Sequence, residues 1–289
     1  MKTFNEYVDD IELMNENLQM INEALVEFGS KRETQFGNVV IMAGGAGSGK
    51  SFVLNNLLGV QGKVLDVDAL KAAALKSKKI KEVVKKELGY DLDNFNLKNT
   101  EDVSKLHMII ADHLNLSNRA NNALFASILS SHPDRKPNIV FDTTLKDLQK
   151  LQQISTQVTE LGYDKKKIHI VWVVNDIEVA KAQNAKRSRT VKEEILVNTH
   201  RGVSQTMQDI VNAGDKLKSY MDGYIYFVFN KAGIDSSVTK SDSGGMVIDK
   251  ANYVAIKKPG KQSLSVSQIS DEILKKIKAY TPKMNTWDK

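Results

Sequence analysis

Gly44-Gly45-Ala46-Gly47-Ser48-Gly49-Lys50-Ser51 is the stretch of this chain whose residue types and spacing most directly imply chemistry. It satisfies the GxxxxGK[ST] pattern, in which glycines let successive backbone N–H groups turn toward phosphate oxygens. The helix expected to follow points its N-terminal dipole at the phosphates, Lys50 neutralises charge on the β- and γ-phosphates, and the Ser51 hydroxyl is placed to coordinate magnesium. The cofactors implied are ATP and Mg2+.

Three further groups bear on which phosphate chemistry follows. The first is Val64-Leu65-Asp66-Val67-Asp68-Ala69-Leu70-Lys71, where a second strand ends and a helix begins. In doubly wound folds strand C-termini face the ligand crevice, so a carboxylate here can accept the proton of an attacking hydroxyl. Asp68 reads as that base and Asp66 as a neighbour serving the substrate, although either can equally cap the next helix. The second is Asp142, the lone acid of Asp142-Thr143-Thr144 at the end of a third strand, suited to hold magnesium or a phosphate-binding side chain. The third is Lys186-Arg187-Ser188-Arg189, placed where a mobile lid would close over a triphosphate. Arg187 and Arg189 would there neutralise charge developing in transfer; a solvated helix end is the plainer alternative.

Two classes fit less well. A GTPase requires an NKxD motif, and Asn230-Lys231-Ala232-Gly233 has glycine where the aspartate belongs. A motor ATPase or AAA-type machine would show adjacent acids at the end of the third strand, where Asp142 stands alone.

The elements that must position these groups follow from periodicity. Short apolar runs at 38–43, 63–66, 138–141, 168–174 and 224–229 read as strands, with helical patterns between them from Lys50 to Leu58 and across 69–88, 100–114, 117–131, 145–161 and 190–212. Thr190 and Glu193 form a capping box for the last of these. Strands alternating with helices imply an α/β fold, a P-loop doubly wound parallel sheet of about five strands with helices on both faces. Ahead of it, Phe4, Tyr7, Val8, Ile11, Met14, Leu18, Ile21, Leu25 and Phe28 recur three and four apart, the stripe of an N-terminal amphipathic helix. The expected division is therefore 1–30 as an acidic targeting or docking segment and 31–289 as the kinase domain. The Ser/Gly/Asp/Lys-rich 231–250 reads as an exposed loop or hairpin before a strand at Tyr253 to Ile256, and a helix near 266–279 closes the chain.

Composition narrows the partners. The chain of 289 residues has no cysteine, excluding disulfides and thiolate chemistry, and its five histidines show no metal-binding spacing. No apolar run reaches the roughly 18 residues of a membrane helix, so a cytoplasmic protein without a membrane partner is expected. Residues 1–29 carry net −6 against +6 for the whole, leaving +12 on the remainder, a balance suited to a phosphate-rich or nucleic-acid ligand.

Taken together, residues 37 to 230 resemble the zeta-toxin and polynucleotide-kinase group of small P-loop kinases, with phosphate loop, strand-end acid, second strand-end acid and arginine-bearing lid in the same order. The resemblance implies Asp68 as general base, and puts Lys71 where the phage 5′-polynucleotide kinase has a substrate-binding arginine. It implies an acceptor hydroxyl on a small molecule such as a nucleotide or nucleotide sugar, or on a nucleic acid, and an antitoxin as partner. Met1 to Tyr7 resemble capsid-targeting peptides of large tailed phages, with Ile21-Asn22-Glu23 fitting their cleavage rule, which implies a phage capsid partner and packaging in the virion. The leading expectation is an ATP-dependent kinase acting on an alcohol group. The alternatives are a P-loop ATPase acting on nucleic acid and a non-catalytic nucleotide-binding phage protein.

Overall fold

The strands β1 Val39–Ala43, β4 Ile168–Val174 and β5 Ile225–Phe229 are apolar on both sides and so require cover on both. In the computed structural model every residue of the three is buried. The structure describes residues 26, 28, 35–58, 60, 62–66, 73–187, 190–240, 246–282 and 287–288. With β2 Lys63–Asp66 and β3 Ile139–Asp142, these strands form a parallel sheet in the order β2-β3-β1-β4-β5.

Two strands go beyond the expected five. β7 Met246–Lys257 pairs antiparallel with β5, and β6 Ser236–Lys240 pairs antiparallel with β7, so the sheet has seven strands and the same α/β class. The segment expected as an exposed loop or hairpin is largely this β6–β7 hairpin, and the strand expected at Tyr253 to Ile256 lies within β7. Its Ser/Gly/Asp/Lys-rich composition hides the two-residue alternation by which a strand is recognised.

The helices are α1 Lys50–Asn56, α2 Lys78–Leu88, α3 Thr100–Met108, α4 Leu116–Leu129, α5 Leu148–Glu160, α6 Ile177–Lys186, α7 Glu193–Asn212 and α8 Asp271–Tyr280. One sheet face packs Val39 and Ile41 against Leu151 of α5, Met207 of α7 and Ile277 of α8. The other packs Val40 and Met42 against Val53 of α1 together with Val26 and Phe28. Between β2 and β3, α2 and α3 build a separate small core around Val84, Leu106, Ile109 and Ile110. No helix among the described residues is long and apolar enough to cross a membrane.

The expected N-terminal amphipathic helix lies outside the described residues apart from Val26 and Phe28, and these two belong to the core. Val26 bridges Leu58 as a short parallel pair, its amide donating to the Leu57 carbonyl at 2.6 Å, and Phe28 meets the Tyr226 ring edge-on at 5.6 Å. The Thr190–Glu193 capping box is not formed: α7 starts at Glu193 behind Lys192, without a side-chain cap. Thr190 instead donates its hydroxyl to the Lys98 carbonyl at 3.2 Å and its amide to the Leu97 carbonyl at 3.3 Å. These contacts hold Thr190 against the backbone before α3, and the N-cap position falls to Lys192.

Candidate functional site

β1 delivers the chain into the glycine-rich loop at the centre of the parallel sheet, and α1 carries it away. Gly49, at the helix N-cap, has φ 91° and ψ 26°, and no side chain caps this end. The first amides of α1 are thereby left to an anion. A Cβ on Gly49 would also lie 2.1 Å from Nδ2 of Asn230, so glycine is required for conformation and for space alike.

Lys50 rests with Nζ donating to the Gly44 carbonyl at 3.0 Å and 3.7 Å from Oδ1 of Asp142, both side chains largely shielded from solvent. Asp142 lies beside the loop because β1 and β3 pair in parallel, with Met42 opposite Asp142. The turn after Asp142 is tightly held. Thr144 accepts from the Gly44 amide at 3.2 Å, and Leu145, fully buried, adopts φ 50°. A left-handed conformation at a branched, buried residue costs about 1–3 kcal/mol and persists where surrounding contacts over-determine it.

Behind the loop, buried side chains engage its carbonyls. His200 of α7 donates Nε2–H to the Ala46 carbonyl at 2.9 Å, which assigns its tautomer, since a carbonyl only accepts. Burial holds the His200 imidazole below the usual histidine range, and the nearby Lys50 charge pushes it the same way against the opposing Ala46 hydrogen bond. Asn175 and Asn230, the residues that follow β4 and β5, both donate Nδ2–H to the Ser48 carbonyl, at 3.3 and 3.0 Å.

In front of the loop lies a cavity of about 540 Å³. Its floor is Gly45 to Ser51 with Asp142, Thr143 and Thr144; α3 supplies Val103 and His107, α6 and its end supply Gln183 and Arg187, and Val191, Ile195 and Thr199 complete the far wall. Asn184 closes that wall by exchanging two hydrogen bonds with the Val191 backbone, at 2.9 and 3.1 Å.

Of the residues singled out in sequence, the structure thus brings together Gly45, Ala46, Gly47, Ser48, Gly49, Lys50, Ser51, Asp142 and Arg187, with Gly44 joined through Lys50. Asp66 stands opposite Asp142 in the β2–β3 register, at the same end of the sheet. Asp68, Lys71 and Arg189 lie outside the described residues. A hard cation prefers oxygen ligands and keeps phosphate and water in its shell. The Ser51 hydroxyl and the Asp142 carboxylate fit that chemistry, and among the described residues no cluster of three or more acidic or histidine side chains competes with it.

The wall of α3 and α7, and the three side chains behind the loop, were not anticipated from sequence. A usable signal existed for Asn175 and Asn230, since each is the first polar residue after an apolar strand whose C-terminal end faces the crevice. None existed for His200, mid-helix on α7.

No curated protein matches the chain in sequence. Among solved structures it is similar to the AvrRxo1-ORF1:AvrRxo1-ORF2 complex with sulphate ions, at TM-score 0.46 and 13% identity over 98% of this chain and 74% of that one. The same complex with ATP gives TM-score 0.46 and 13% identity over 97% and 74%. The PezAT chromosomal toxin–antitoxin system of the human pathogen Streptococcus pneumoniae gives 0.40 and 13% over 78% and 77%. The family model described as AAA domain matches residues 39–209, from β1 into α7 and more than half of the chain. With its phosphate loop between β1 and α1, the chain is a nucleotide-binding P-loop protein and belongs to the AAA domain family.

Proposed function

We propose that the protein is a magnesium-dependent kinase that transfers the γ-phosphoryl group of ATP to a hydroxyl acceptor. The observation that carries this reading is the lining of the cavity: one cavity joins the phosphate loop to Val103 and His107 of α3 and to Val191 and Ile195. A site for hydrolysis requires room only for water, whereas transfer requires a second compartment beside the γ-phosphate. That lining mixes apolar and hydrogen-bonding groups, as small-molecule sites do.

The loop amides and Lys50 bind the triphosphate, and Arg187, with Arg189 beside it in sequence, stabilises charge on the moving phosphoryl group. The Ser51 hydroxyl and Asp142 hold the magnesium, which would neutralise charge on the phosphate oxygens. Asp68 accepts the acceptor's proton as its oxygen bonds to the γ-phosphorus; the bond from that phosphorus to the bridging oxygen breaks, and ADP leaves. Asp66 and Lys71 orient the acceptor.

The test is incubation with γ-labelled ATP and a panel of 5′-hydroxyl DNA and RNA, nucleotide sugars, nucleosides and a metabolite extract, followed by identification of the labelled species. Asp68→Asn is expected to reduce transfer by at least about a hundredfold while ATP affinity stays within about twofold. Transfer at the parent rate would remove Asp68 from the role of base. The family description favours a hydrolytic ATPase as the second reading. Phosphate release without a labelled acceptor, accelerated by DNA or RNA, would establish that one instead.

A further inference from the structure

A trans peptide points its C=O and N–H in opposite directions, so whatever captures a loop carbonyl also aims the next residue's amide. Among the described residues there is no cis peptide bond. In the phosphate loop two carbonyls are captured by side chains from three distant elements. His200 takes Ala46 from α7, while Asn175 and Asn230 take Ser48 from the ends of β4 and β5.

We propose that His200, Asn175 and Asn230 are positioning residues for nucleotide binding: by holding the Ala46 and Ser48 carbonyls inward, they fix the Gly47 and Gly49 amides outward, toward the phosphates.

Each of the three is at least nine-tenths buried. The fit is close, since a Cβ on Gly45 would lie 2.2 Å from Cδ2 of His200. Asn230 cannot rotate its amide freely, because Ser236 donates its hydroxyl to Asn230 Oδ1 at 2.8 Å and so leaves Nδ2 facing Ser48. Asn175 turns its Nδ2 to the same carbonyl although its Oδ1 then has no partner among the described residues. An apolar side chain would satisfy packing there without stranding a polar atom. What it would not supply is the second donor to Ser48.

This inference rests on nucleotide binding at the loop and not on the acceptor. A parent protein that binds ATP but phosphorylates nothing would defeat the kinase reading and leave this one standing. The experiment is equilibrium binding of ATP, ADP and AMP to the full chain and to His200→Ala, His200→Gln and Asn230→Leu. Loss of a pre-aimed amide is expected to weaken ATP and ADP about tenfold in His200→Ala and Asn230→Leu. AMP, which lacks the β- and γ-phosphates, should change by less than about twofold. The Gln amide can donate to the same carbonyl, so His200→Gln should bind ATP within about threefold of the parent. If melting shows that His200→Ala does not fold, Asn230→Leu and the Gln variant carry the test. Unchanged ATP affinity, an equal loss for all three nucleotides, or a parent that binds none of them would overturn the proposal.

Discussion

Lys50 lies between the Gly44 carbonyl and the Asp142 carboxylate, and in the proposed kinase its ammonium would turn to phosphate oxygens. The loop around it was legible because its residues are contiguous and their spacing is itself the signal. His200 was not, because its contribution is a hydrogen bond made 154 positions away from its partner. A second histidine has a different consequence. His169 on β4 accepts from the Tyr224 amide at Nδ1 and lies 3.1 Å from Asn38 Oδ1 at Nε2, with the Phe28 ring against it. Burial, with the Lys167 charge adding to it, holds His169 down at about 3. An unfolded chain takes up that proton near pH 6.5, so the fold loses stability as pH falls from about 6.5 toward 3. The unfolding free energy of His169→Gln, followed by denaturant titration, is expected to vary less steeply between pH 6 and 4. A slope equal to the parent's would remove His169 as a source of acid sensitivity.

At the scale of elements, the strands were the most legible. The runs at 63–66 and 168–174 coincide with β2 and β4, and in β4 every side chain is buried, which leaves an uninterrupted apolar signature. The connection from α6 to α7 was less so. Its charged sequence suggested a lid and a capping box, whereas its geometry depends on Thr190 reaching Lys98 and on Asn184 holding Val191. Asn184 is buried and its side chain serves both groups of the Val191 backbone, so Asn184→Ala leaves a partly buried donor and acceptor without that partner, at a local cost of about 1 kcal/mol. The segment should then open more often, and trypsin should cut at Lys186, Arg187 or Arg189 about tenfold faster than in the parent. Equal cleavage rates would show that the closure is held elsewhere.

The whole molecule is a parallel sheet whose β5 edge is extended by a hairpin and whose C-terminal tail returns to the core. Trp287 is 1% exposed and stacks on Trp172 of β4. Its indole N–H donates to the Ser204 hydroxyl of α7 at 2.9 Å. The tail therefore ties the sheet to the helix that carries His200. Trp287→Ala empties a large buried volume and is expected to destabilise the fold by about 3–5 kcal/mol, lowering the melting temperature on the order of 10 °C. A melting temperature within about 2 °C of the parent's would mean that the tail contributes little.

These are the chain's two tryptophans, and they form one stacked pair with ring centroids 5.6 Å apart at 16°. Trp172 lies opposite Ala43 in the β1–β4 register, one residue before the phosphate loop begins. The protein's tryptophan emission therefore has a single address. Light absorbed there reports on the junction between the C-terminal tail and the strand that feeds the loop, without an added label.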